Sequence, residues 1–178
     1  MPRANGVVIY SGPSMIGGGD VVAIATGLAT PSKNRKTGAM VSVWIMGADR
    51  DPVALHAAGE DGVVCGNCPH RTGSCYVLLL YAPLGVWKAW SRGAYADWDG
   101  ADFARPVRLG AYGDPAAVPV AVWRRVIGAA PQGWTGYTHA WRRRPALRDI
   151  CMASCDTPEE AAEATAKGWR TFRVRPEG

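Results

Sequence analysis

From Arg105 onward the chain alternates strand-like and helix-like stretches with a regularity that leaves few folds open to it. Pro106 to Tyr112 (P-V-R-L-G-A-Y) is a strand candidate, broken by Gly113-Asp114-Pro115. Val118, Val122, Trp123, Val126 and Ile127 then fall on one face of a helix. Gly128 to Gly133 is a return loop, and Trp134 to Trp141 is the next strand candidate. Asp149 to Ser154 reads as a further strand. Thr157-Pro158-Glu159-Glu160 reads as a capping box, in which the threonine accepts a backbone N–H and the glutamate three residues later reaches back. An alanine-rich helix follows and stops at Gly168, and Trp169 to Val174 closes the series as a strand. Strands that alternate with helices predict a parallel sheet with right-handed crossovers.

The first half is less regular. Val7 to Tyr10 and Asp20 to Thr26 read as strands, with Gly17-Gly18-Gly19 between them. No P-loop Lys-Ser/Thr and no Rossmann spacing accompanies these glycines, which argues against a phosphate cradle there. Lys33 to Gly38 is a polar turn before the strand candidate Val41 to Met46; Lys33, Arg35 and Lys36 are either ordinary exposed positions or contacts for an anionic ligand. Asp51-Pro52 opens a short helix that ends by Gly59 to Gly62. Tyr76 to Tyr81 reads as helix or strand. A helix from Pro83 to Arg92 would bury the stripe Leu84, Trp87 and Trp90. With 22 Gly and 13 Pro, many strand-to-loop transitions are favoured over an ideal helical bundle. About six strands are too few to close an eight-stranded barrel. The expected fold is therefore one α/β domain over 1–178, a partial (β/α) barrel or an open, mostly parallel sheet. N-terminal strands and a hairpin occupy 1–62, a cysteine-rich metal-binding loop and an aromatic helical segment 63–105, and the repeated units 106–178.

Val64 to Tyr76, V-C-G-N-C-P-H-R-T-G-S-C-Y, packs Cys65, Cys68, His70 and Cys75 into eleven residues. A cysteine used for packing behaves as a small hydrophobe. This segment is polar and rich in turn formers, so its thiols are expected to serve as ligands, at C-x2-C-x6-C spacing. Zinc held by three thiolates and an outside ligand is one solution. A 4Fe-4S cluster on three thiolates, with a small molecule on the open iron, is the other. The fourth position falls to His70, to Cys155 or to a small molecule, although His70 lies so close to Cys68 that joint ligation would be strained.

In parallel-sheet folds ligands bind where strands end and loops begin. This chain places polar groups at those points: Asp114 after the strand ending at 112, Tyr137, Thr138 and His139 at the end of the next, and Ser154, Cys155 and Asp156 after the third. Asp114 and His139 are the candidate catalytic groups. Each also has a structural role open to it: Asp114 before Pro115 is a good helix cap, Asp156 adjoins the capping Thr157, and His139 could be a satisfied sheet-end histidine. Cys151, inside a strand candidate, is expected in the core.

The formal charge of +5 permits nucleic-acid binding without requiring it. Arg124, Arg125 and the run Arg142-Arg143-Arg144 are either a solvated face or a phosphate track. No run of eighteen apolar residues and no signal-peptide pattern is present, which predicts a cytoplasmic protein with no membrane partner and with reduced thiols.

Cys75-Tyr76 after the cysteine cluster, V-R-L-G-A-Y-G-D-P at 107–115, T-G-Y-T-H at 135–139, M-A-S at 152–154 and G-W-R-T-F-R-V at 168–174 resemble a family of uncharacterised bacteriophage and prophage proteins. The chain is similar, more distantly, to the phage gene product eighty-eight family and to the partial barrels of radical S-adenosylmethionine enzymes, whose clusters sit on C-x3-C-x2-C. The resemblance implies Cys65, Cys68 and Cys75 as cluster ligands, with Asp114 and His139 facing them and Tyr76 and Ser154 as cofactor-binding groups. It further implies S-adenosylmethionine as a possible cofactor, a nucleic acid or nucleotide as substrate, and the host cytoplasm as the compartment. Longer proteins of this kind continue into a second cysteine-rich segment, so a site shared with such a segment would be incomplete in this sequence.

Overall fold

A computed structural model describes residues 5–32, 38–71 and 73–173. Seven strands form one open sheet: β1 (Gly6–Pro13), β2 (Asp20–Thr26), β3 (Val41–Gly47), β4 (Val107–Tyr112), β5 (Trp134–Thr138), β6 (Met152–Ser154) and β7 (Thr171–Phe172). Their order across the sheet follows the order in the chain. The pairs β1/β2 and β2/β3 are antiparallel, and every pair from β3/β4 to β6/β7 is parallel. The strand order never reverses, so the sheet has no topological switch point; it winds in one direction as a barrel wall does. The expected α/β class and mostly parallel sheet are found. All seven strand candidates pair, one more than the count of about six, and the last, read from Trp169 to Val174, contributes β7 through Thr171–Phe172. The polar turn from Lys33, with Arg35 and Lys36, lies outside the described residues.

Five helices join the strands: α1 (Pro52–Ala57), α2 (Gly62–Cys65), α3 (Ala82–Ser91), α4 (Val120–Gly128) and α5 (Pro158–Ala166). Asp51 caps α1, accepting from the Val53 and Ala54 N–H groups with Pro52 at the first position, as the Asp-Pro pair predicts. α1, α2 and α3 pack on β3, and α4 packs on β1. β2 from Val21 to Ala25 and β3 at every position but Trp44 are accordingly buried, which explains their nearly unbroken apolar sequence. The stripe Leu84, Trp87 and Trp90 is only half buried, because α3 lies at the margin of the core and the Trp87 indole N–H reaches the Gly47 carbonyl.

The Gly17-Gly18-Gly19 stretch is the β1–β2 hairpin loop. Ser14 organises it, accepting from the Ile16 and Gly17 N–H groups while its own hydroxyl donates to Val63 O at 2.6 Å. Residues Tyr76 to Leu80 form neither helix nor strand but an irregular run that enters a turn at Leu79. Val77 and Leu79 turn inward while Tyr76, Leu78 and Leu80 stand exposed, so the alternation of a strand is present without a partner.

At α5 the capping box closes with a shifted partner. Thr157 Oγ1 accepts from Glu160 N–H as expected, but the Glu160 carboxylate accepts from the Asp156 N–H, one residue before the threonine. Further along, Arg142 and Lys167 hold the exposed Glu163 carboxyl down to about 2. Its folded value lies below the unfolded one. The associated stability is therefore present above the ordinary glutamate value of 4.5 and is lost as pH falls toward about 2. We expect the Glu163 carboxyl, followed by carbon-detected NMR, to titrate below the ordinary glutamate range in the wild type and to move back toward it in Arg142→Ala. An unchanged titration would refute the assigned pairing.

Candidate functional site

The polar groups at the strand ends meet as the topology predicts. β4 ends at Tyr112, and Asp114 follows it into a 3-10 turn (Pro115–Ala117). Asp114 is buried, with its carboxylate wholly engaged. Oδ1 accepts from Thr138 Oγ1 at 2.6 Å and from Ala116 N–H at 2.8 Å, and Oδ2 accepts from His139 N–H at 2.9 Å. Its own N–H donates to Val64 O, which ties the end of β4 to α2. Burial pushes the Asp114 carboxyl up, while these donors pull it back. Every partner named is a donor, which is the pattern of a carboxylate that stays ionised. Asp114 thus lies beneath the site, fixing the backbone of His139, rather than at its surface.

His139, just past β5, is the centre of the arrangement. Its Nδ1 is 3.5 Å from Cys68 Sγ, and its Nε2 is 3.1 Å from Ser154 Oγ at the end of β6. Asp156, two residues past Ser154, places Oδ1 3.7 Å from His139 Nε2 and 2.7 Å from His70 Nε2. His70 Nδ1 is 2.6 Å from Ser74 Oγ. The cysteine segment therefore folds across the C-terminal ends of β5 and β6. Lower on the same strands, the Tyr76 hydroxyl sits 2.8 Å from that of Tyr137, and the Arg108 guanidinium donates to both. Tyr137 in turn stacks on Phe172 with ring centroids 4.5 Å apart. Burial of its hydroxyl end and the hydrogen bond with Tyr137 push the Tyr76 hydroxyl up to about 12.

The three cysteines of the segment divide. Cys65 and Cys75 line a cavity of about 120 Å³ together with His56, Asp61 and Tyr112, whereas Cys68 turns to His139. Asp61 is buried and braces this region, 2.7 Å from His56 Nδ1 and 3.3 Å from Arg71 Nε. Burial pushes the Cys65 thiol well up, and the carboxylates of Asp61 and Asp114 and the thiols of Cys68 and Cys75 add to the effect. Burial likewise raises Cys68, opposed by the His70 N–H on its sulfur. The Tyr112 hydroxyl is buried with no hydrogen-bond partner. Cys151 is core, as expected. Cys155 is buried too, its thiol directed at Ala153 O, so it points away from a ligand role at this face.

Among the described residues, the one set of three or more His, Cys, Asp or Glu donor atoms lying within 4.8 Å of one another is His70, His139 and Asp156. The thiols of Cys65, Cys68 and Cys75 do not converge to that degree. Sequence reasoning assigned Asp156 to helix capping through its neighbour Thr157. Thr157 does the capping alone, and the Asp156 side chain is turned to the histidines. The contributions of Asp61, Arg108 and Tyr112 left no local signal, since each depends on contacts across the fold. Arg142 pairs with Glu160 and Glu163 and stacks on Trp141 at 4.1 Å, which occupies it within the protein. No helix of the described residues is long and apolar enough to cross a membrane. In comparisons with known proteins, no family pattern, no curated protein and no solved structure matches the chain.

Proposed function

We propose that this chain is a metal-binding protein whose Cys65, Cys68 and Cys75 hold an iron-sulfur cluster at the C-terminal ends of the parallel strands. The observation that carries this reading is the cavity shared by Cys65 and Cys75. Its buried carboxylate, Asp61, is already held by Arg71 and His56, but the two thiols share the space with a buried Tyr112 hydroxyl that has no hydrogen-bond partner, so sulfur donors and one unsatisfied polar group face a single enclosed volume. A bound cation would offset the carboxylates that disfavour a thiolate beside them, so metal binding and loss of the thiol protons would go together. Once bound, a cluster with one iron free of thiolate supplies a position for the donor atoms of a small molecule, S-adenosylmethionine in the radical enzymes that the sequence resembles.

The protein's own residues have separable tasks. Cys65 and Cys75 supply sulfur from the cavity wall, and a shift of the Cys68 side chain away from His139 brings in the third thiol. Arg108, with Tyr76 and Tyr137, presents a guanidinium and aromatic edges on the adjoining strands, a combination suited to a nucleotide's phosphate and base. Bacteriophage origin, a nucleic acid or nucleotide substrate and a cytoplasmic setting belong to this proposal through the resemblance.

Anaerobic purification tests it. The wild-type chain is expected to carry iron and sulfide and to absorb in the visible, and Cys75→Ala to lose most of both. A colourless, iron-free sample loaded with zinc on the cysteines overturns the cluster. It would support the alternative of a zinc-stabilised module, whose binding to nucleic acid through Arg124, Arg125, Arg143 and Arg144 would weaken steeply with salt.

A further inference from the structure

We propose that His70, His139 and Asp156 form a second site, distinct from the cysteines, that binds one divalent first-row transition-metal ion. The three residues come from separate parts of the chain: the cysteine loop, the end of β5 and the loop after β6. His70 and Asp156 are 86 positions apart in sequence. Their convergence is a product of the fold and not of local sequence.

Both histidines offer the same nitrogen. His70 Nε2 and His139 Nε2 point at a single carboxylate oxygen, Asp156 Oδ1, at 2.7 and 3.7 Å. Each ring is held from behind at Nδ1, His70 by Ser74 Oγ at 2.6 Å and His139 by Cys68 Sγ at 3.5 Å. Metal-ligating histidines have this layout, with the outer nitrogen engaged by a partner that fixes the tautomer and leaves the inner lone pair free. Donor atoms around a tetrahedral zinc at bond lengths of roughly 2.0–2.1 Å stand about 3.3 Å apart. The His139–Asp156 separation is close to that, and the His70–Asp156 hydrogen bond need only open by a few tenths of an ångström.

The donor set selects the ion. Two imidazoles and one carboxylate suit zinc, iron(II), cobalt or manganese better than magnesium or calcium, which take oxygen ligands. The side chains of His70, His139 and Asp156 are 38%, 22% and 35% exposed, so water or a substrate group can reach the remaining coordination positions. Ser154 Oγ, 3.1 Å from His139 Nε2, is placed to hydrogen-bond a group bound there.

The test uses the full chain carrying Cys65→Ser and Cys75→Ser, with Cys68 kept behind His139, titrated with Co(II) and followed by absorbance and calorimetry. One equivalent is expected to bind with no sulfur-to-cobalt charge-transfer band and to be displaced by Zn(II). Adding Asp156→Asn or His70→Gln, both at partly exposed positions, is expected to weaken binding by more than the roughly 10–100-fold that follows loss of an outer-sphere partner. Unchanged affinity in either variant overturns the site, as does loss of binding in the Cys65→Ser, Cys75→Ser chain with its circular dichroism intact. Should the double substitution unfold the chain, long-range 1H–15N spectra of wild-type protein with zinc decide the matter. Both Nε2 resonances must shift to the metal-bound range, and unshifted resonances overturn the site. An iron-free preparation removes the cluster proposal and leaves this one standing, whereas metal-insensitive histidines remove this one alone.

Discussion

Asp114→Asn will lower the stability of the fold by about 2–4 kcal/mol, because it strips the charge from a buried carboxylate whose three partners are all donors. The amide nitrogen must face a backbone N–H that cannot accept from it, that of His139 in one orientation and that of Ala116 in the other, where the Thr138 hydroxyl must also turn round to accept. The damage will not stop at stability. With the hydrogen bond to Oδ2 weakened, the His139 backbone loses its anchor, and the ring that joins Cys68, Ser154 and Asp156 loses its fixed position. Urea denaturation at constant pH, together with amide exchange at His139, measures both effects. A stability loss under about 0.5 kcal/mol, the range of ordinary surface substitutions, would show that Asp114 does not carry the junction.

Gly113→Ala will be at least as damaging, by about 3 kcal/mol or more, for reasons of backbone and space combined. Gly113 has φ +81°, and a Cβ there would lie 2.5 Å from Ile45 O and 2.7 Å from Ile45 Cβ. Neither contact is with the far end of a flexible side chain, so relief requires β4 to move away from β3 just before Asp114. Gly133 supplies the comparison. Its φ is +91° but nothing lies within 4 Å of the added carbon, so Gly133→Ala should cost only the conformational strain, about 1–2 kcal/mol. Equal losses in the two variants, read by thermal or urea denaturation, would remove the steric part of this account.

The sequence made the second half of the fold readable because its signals are local. Apolar periodicity, Asp51 and Thr157 as caps, and the glycines and prolines between elements mark each strand and helix from nearby residues alone. The same patterning put Asp114, His139 and Ser154 at strand ends, and the parallel topology then placed those ends together. What was not readable depends on contacts between distant residues. Asp156 has two possible uses, and only the position of His70, on a loop with no regular structure, decides between them. Arg108 looks like the polar member of an alternating strand until Tyr76 and Tyr137 are brought to it. Tyr76 to Leu80 carries the pattern of a strand yet pairs with no strand of the sheet.

The sheet tapers along its length, from the eight residues of β1 to the three of β6 and the two of β7. His139, Ser154 and Asp156 all stand at the narrow end, where few ladder hydrogen bonds hold the strands. Local opening free energies follow such differences, and this end is the one expected to open first while β1 to β3 stay closed. Anything bound by both the cysteine loop and the ends of β5 and β6 would therefore act as a staple on the least secure part of the molecule, and its binding energy would be returned as protection of β6 and β7.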